Sequence, residues 1–167
     1  MIATRSTRSL LARSGTILTA LLWIAATPGV GSAQVKPTAT KTFAQALVDA
    51  THAAHPEIDE IGISAMTSHG CVGIASTDKS DVGEKCEADD VTPMKTGKPS
   101  VGKEGTGYDV SVPLHDVAGK TVGVLGVGFK AAPGQTAATV TQTAQKIAAE
   151  MAAKIPSKAK LFARANQ

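Results

Sequence analysis

Residues 108–129 read YDVSVPLHDVAGKTVGVLGVGF, and the reading of this stretch decides the fold. Tyr108, Val110, Val112 and Leu114 alternate with polar or small residues, which is the period of a half-buried strand. A turn follows through His115-Asp116-Val117-Ala118-Gly119-Lys120. Thr121 to Phe129 is then rich in β-branched residues and carries Gly123, Gly126 and Gly128. The stretch predicts two long antiparallel strands joined by a turn.

Working outward toward the N-terminus, Ile58 to Thr67 (IDEIGISAMT) puts Ile61, Ile63 and Ala65 on one alternation and Gly62, Ser64 and Met66 on the other. Ser68-His69-Gly70 makes a turn, and Cys71 to Ser76 returns as a strand. Thr77 to Gly83 is a polar loop. The following run to Thr96 is acidic, with Glu84, Glu87, Asp89 and Asp90, and is read as a short solvated helix because it lacks the alternating oxygen ligands and central glycine of a calcium loop. Residues 97–104 supply one more strand. Upstream, Phe43, Ala46, Leu47, Ala50 and Ala54 recur at helical spacing behind Thr42, and His55-Pro56 ends that helix. Downstream, Val140, Ala144, Ile147, Met151 and Ile155 form the stripe of a long helix stopped by Pro156. These elements make an α+β domain of PAS-like type: a five-stranded antiparallel sheet flanked by an N-terminal and a long C-terminal helix.

The first 33 residues have the build of a secretory signal: Arg5, Arg8 and Arg13, an apolar stretch from Ile17 to Ala26, and Gly31 and Ala33 at small-residue cleavage positions. Cleavage there predicts a periplasmic or secreted protein with a linker over 34–41, one domain over 42–156 and a polar tail over 157–167 that adds little to the core. The chain holds 17 Lys and Arg against 14 Asp and Glu; without the three leader arginines the two are equal at 14 each. The basic balance is thus a targeting feature, and nucleic acid is not expected as a partner. Cys71 and Cys86 are the only cysteines. In an exported chain they predict a disulfide, worth roughly 3 kcal/mol by closure of a loop of about 15 residues. No zinc or c-type haem spacing surrounds them, and neither a metal nor a cofactor is expected.

Residues 61–129 resemble the Cache (PDC) family of extracytoplasmic sensor domains. The resemblance is carried by the strand and tight turn IGISAMTSHG, a second strand ending in AST, the loop DVGEKC, the segment VTPMKTGKP, and a strand ending in Pro-Leu before a Gly-Lys turn and a Val/Gly-rich last strand. It implies an exported sensor-type domain that binds a small molecule and presents it to a membrane receptor. The other reading is a structural protein that forms a homodimer through the Val140 to Ile155 stripe.

Catalysis is not expected, since the sequence has no nucleophile elbow, no HExxH and no phosphate loop. Ser64, His69 and Asp116 fall on different strands and turns and do not read as a triad. For a ligand site the polar candidates are Ser64 on the first strand, Lys103 near the end of the third and Tyr108 at the head of the fourth. Tyr108 offers an aromatic body with a hydroxyl. With Lys103 supplying charge, the expected ligand is a small anionic or zwitterionic organic molecule. Gly123, Gly126 and Gly128 are expected either to admit a close backbone approach or to leave ligand space.

Overall fold

A computed structural model describes residues 41–165 of the chain. The leader and most of the linker lie outside the described residues. Helix α1 spans Phe43–Ala54; Thr42 caps it, its hydroxyl accepting from the Gln45 amide at 3.1 Å. Strands β1 (Ile58–Thr67) and β2 (Gly70–Ser76) form a hairpin. A single 3-10 turn at Lys79–Asp81 and helix α2 (Ala88–Thr96) follow. Strands β3 (Ser100–Glu104), β4 (Gly107–His115) and β5 (Thr121–Phe129) complete one antiparallel sheet in the order β2-β1-β5-β4-β3. Helices α3 (Ala137–Ala152) and α4 (Lys158–Phe162) close the domain. The α+β, PAS-like architecture expected from the alternation patterns is the one observed.

The β4–β5 turn is built by Asp116, which is 8% exposed and whose Oδ1 accepts from the amides of Ala118 and Lys120, both at 3.0 Å. Gly119 supplies the left-handed residue of that turn, at φ +77°. With the two strands fixed in register, Val110, Val112 and Leu114 stand beside Val127, Leu125 and Gly123. Ile61 and Ile63 of β1 extend the same apolar face next to Val127 and Leu125. Helices α1 and α3 cover it with Leu47, Val48, Val140, Ala144, Ile147 and Met151, all at most 6% exposed. The α3 stripe therefore belongs to the interior of this chain. Its residues pack inside the domain, so the stripe itself is not a surface for a second copy, which corrects the reading of it as a dimer interface.

The last turn of the long helix is shorter than its apolar period predicts, since α3 ends at Ala152. Ile155 stays fully buried, and its carbonyl accepts from the Val117 amide at 3.0 Å. The C-terminal segment also differs from expectation. Leu161 is fully buried, the Phe43 amide donates to the Ala163 carbonyl at 2.8 Å, and the Ala165 amide donates to the Lys41 carbonyl at 2.9 Å. A segment with few apolar residues is held because it satisfies an amide that the first turn of α1 cannot pair internally.

Candidate functional site

The other face of the sheet is built from the alternate residues of the same strands. Across β1, β5, β4 and β3, Glu60, Gly128, Asp109 and Gly102 lie in one row; beside it run Gly62, Gly126, Ser111 and Ser100. Glycines in both rows leave the floor of this face low. A Cβ placed on Gly126 would meet no atom within 4 Å, whereas one on Gly123 would lie 2.4 Å from the Ser64 carbonyl oxygen. The glycines of β5 thus divide their work: Gly123 admits a close backbone approach, and Gly126 leaves space.

The chain between β2 and β3 crosses over this floor. Residues 83–86 run along the outer edge of β2, where the Gly73 amide donates to the Glu84 carbonyl at 2.9 Å, the Gly83 amide to the Gly73 carbonyl at 2.9 Å, and the Cys86 amide to the Cys71 carbonyl at 3.2 Å. The expected disulfide locks this pairing, with Cys71 and Cys86 Cα atoms 5.4 Å apart. Gly73 is required here, because a side chain would place its Cβ 2.3 Å from the Asp81 carbonyl oxygen. Serines fasten the acidic side chains of the crossing segment. Ser76 Oγ donates to Asp81 at 3.0 Å, Ser100 Oγ to Asp89 at 3.0 Å and Ser111 Oγ to Asp90 at 3.2 Å.

Between floor and crossing segment lies a cavity of about 400 Å³. Its walls carry Glu60 and Asp109 from the sheet, Glu104 from the edge strand, and Asp81, Glu84, Glu87, Asp89 and Asp90 from the crossing segment, against a single lysine, Lys85. Two of these carboxyl groups are displaced far from the ordinary range. Glu60 is pushed up to about 7 by a hydrogen bond with Asp81, by partial burial, and by the charges of Asp81, Asp78 and Asp109. Asp109 is raised to about 6, chiefly by burial and the Glu104 carboxylate, with Asp90 and Asp89 adding to it against one backbone hydrogen bond. Among the described residues no group of three or more His, Cys, Asp or Glu is arranged to hold a metal ion.

The three expected site residues part company. Ser64 lines the cavity. Tyr108 pairs with Phe129 and packs against the helix-covered core, on the opposite side of the sheet. Lys103 pairs with Tyr108 and lies with its Nζ 5.8 Å from the centre of that ring, a cation–π contact. Lys103 also borders a second recess of about 280 Å³ beside β3, where its neighbours include Glu87, Asp89, Glu104 and Asp109. The geometry does not join Tyr108 and Lys103 to Ser64 around one ligand. The pair of titrating acids, Glu60 and Asp109, went unnoticed in the sequence, although strand alternation places both on the face away from Ile61 and Val110. The acidic run is helical from Ala88, as expected, but its carboxylates form a wall and not simply a solvated surface. His69 sits at the β1–β2 tip, while Asp116 is committed to its own turn.

No family model matches the chain, and no curated protein matches it. Solved structures do. The repressor BlcR of Agobacterium tumefaciens is similar at TM-score 0.52 and 8% identity, over 68% of this chain and 67% of that one. The GAF domain of an Acinetobacter phosphoenolpyruvate-protein phosphotransferase follows at 0.45 and 15%, over 68% and 82%. The E. coli DcuS sensor domain is similar at 0.39 and 18%, over 61% and 71%. Of these three the first exceeds one half, and at its low identity it bears on the fold alone.

Proposed function

We propose that this domain is a small-molecule-binding domain of sensor type, without catalytic activity, and that its ligand occupies the cavity over the glycine floor. The observation that carries this reading is the cavity itself: a half-open recess of about 400 Å³ bordered by a disulfide-anchored crossing segment, with open space above Gly126. Binding sites are commonly preformed concavities of this size, mostly apolar with a few placed polar groups; this one shares the size and differs in its acidic walls. The excess of carboxyl groups in the walls favours a cationic ligand over the anionic one expected from Lys103. Export to the periplasm or medium is part of the proposal, supported by the leader composition and by a disulfide of the kind that persists in oxidising compartments.

Thermal melting of the mature domain against panels of organic cations, zwitterions and anions tests the reading. A ligand at 100 times its Kd stabilises the native state by about 2.7 kcal/mol. Gly126→Val projects a branched side chain into the open space from a Cβ that meets no atom within 4 Å, so it should reduce or abolish the shift while leaving the unliganded melt nearly unchanged. Shifts that survive Gly126→Val would place the ligand elsewhere.

A further inference from the structure

We infer that two copies of this domain pair through the free edge of β3, antiparallel about Gly102, so that their two sheets run on as one. The inference is independent of the ligand reading, since it uses the rim of the sheet and not the recess over its floor. The sheet ends at β2 on one side and at β3 on the other, and the chain treats the two edges differently. The β2 edge is closed by residues 83–86, whose backbone pairs with Gly73 and Cys71 and is tied there by the disulfide. At β3 no such cover is found among the described residues. The β3–β4 loop is the two residues Gly105 and Thr106, set between the paired Glu104 and Gly107, so Glu104, Gly102 and Ser100 exchange their hydrogen bonds with β4. The amides and carbonyls of Val101 and Lys103 therefore point outward, and among the described residues no hydrogen bond reaches them. Residues 101–104 are all exposed, Val101 at 41%.

An unpaired edge is a template for one more strand, and the residues around it say which strand fits. Outward groups placed symmetrically about a glycine are complementary to the same strand turned around, which is the self-matching contact of a two-fold dimer. With Gly102 opposite Gly102 of the second copy, Val101 stands opposite Lys103 of the second copy and the two exchange both backbone bonds. The symmetric position does the same. The centre of the contact has no side chain, and a Cβ added at Gly102 would meet no atom within 4 Å. On the helix side the Lys103 ammonium is drawn over its own Tyr108 ring, 5.8 Å from the centre, which leaves its aliphatic stem to cover Val101 of the second copy. On the recess side Glu104 stands opposite Ser100 of the second copy, with the exposed Lys98 of that copy on the diagonal, where opposite charges attract. That lysine also arrives beside the recess of about 280 Å³ at this edge, whose walls hold Glu87, Asp89, Glu104 and Asp109. The strand that suits the edge is thus extended, with a free amide and carbonyl on alternate residues and a cation on the acidic side. The segment 98–104 of a second copy is such a strand. Pro99 lies beyond the paired groups and has no amide to leave unmatched.

Sedimentation velocity of the mature, oxidised domain over about a hundred-fold range of concentration tests the association, and a cysteine cross-link tests the register. The expected result is a dimer that grows with concentration, with hydrogen exchange at the Val101 and Lys103 amides slowing in step. Val101→Pro removes one outward amide where an edge strand tolerates proline, so it should weaken the dimer at least about ten-fold, the fold being checked by its melting profile at low concentration. Lys98→Glu and Glu104→Lys should each weaken the dimer several-fold, and the two together should restore it. Gly102→Cys should cross-link two copies under mild oxidation, because a facing pair of this kind holds its Cα atoms about 4.5 Å apart, within the span of a disulfide. Glu104→Cys, which stands opposite Ser100 of the second copy, should not. A protein that stays monomeric over the whole range would overturn the inference; protection of the Val101 and Lys103 amides in that monomer would give the edge to another segment of the chain. A dimer that survives Val101→Pro, or that cross-links through Glu104→Cys as readily as through Gly102→Cys, would place the contact elsewhere and overturn it as well. The Gly126→Val melts are read separately, so the dimer and the ligand reading can fail independently.

Discussion

The two faces of one sheet are made from alternate residues of the same strands, yet they solve opposite problems. On the helix side, Ile61, Ile63, Val110, Val112, Leu125 and Val127 are at most 1% exposed and belong to one apolar cluster. On the cavity side the same strands present Glu60, Gly62, Ser64, Asp109, Ser111, Gly126 and Gly128. The first face stabilises the fold. The second gathers carboxyl groups around a recess over a glycine floor. The apolar core and the acidic recess are thereby assigned to opposite parities of the sequence, so substitutions one residue apart should have unrelated consequences.

The sharpest such contrast lies at adjacent residues of β5. Leu125→Ala removes fully buried volume and should cost about 2–5 kcal/mol in urea unfolding. Gly126→Val, next to it and facing the cavity, should change stability by less than about 1 kcal/mol. Equal costs at the two positions would break the two-face account. The disulfide comes next: Cys71→Ser with Cys86→Ser should cost about 3 kcal/mol. The accompanying rise in hydrogen exchange should be concentrated in residues 77–97, whose only buried apolar helical residue is Pro93, and should spare β4 and β5. A uniform rise would mean that the crossing segment is no separate unit.

A smaller effect is expected from pH. Glu60 has a folded value near 7 against an ordinary 4.5, so the native state binds more protons than the unfolded chain between those values. Its contribution is therefore unfavourable once the proton is lost, and stability falls as pH rises through that window. Asp109, raised to about 6, acts in the same direction from its ordinary 3.8 upward. Denaturant midpoints at pH 5 and pH 8 should show wild type losing more stability across the interval than Glu60→Gln. Parallel losses in the two proteins would remove Glu60 from the account.

Much of the fold was legible because strand and helix periods are local. The alternation in residues 58–67 and 108–114, the Gly119 turn and the α3 stripe each report their own burial. The cysteine pair was legible for a similar reason, since only one pairing exists. What lay beyond the sequence depends on register. Which glycine of β5 sits under a backbone and which under open space is decided by the strands beside it. Likewise Glu60 and Asp109 are 49 residues apart in sequence, and only the β1–β5–β4 pairing sets them on either side of Gly128. Tyr108 is the one tyrosine, but its parity, shared with Val110 and Val112, points it toward the helices. The C-terminal segment is underrated by composition because much of its contribution lies in backbone hydrogen bonds to Lys41 and Phe43 at the start of the domain, which composition does not report.

The central claim is that the cavity face gathers carboxyl groups that raise one another's affinity for protons, and the direct measurement is an NMR titration of the glutamate and aspartate side-chain carboxyl carbons in the ligand-free domain. The account predicts that Glu60 titrates with a midpoint near 7 and Asp109 near 6. Midpoints near 4 for both, the range of solvated carboxylates, would contradict it.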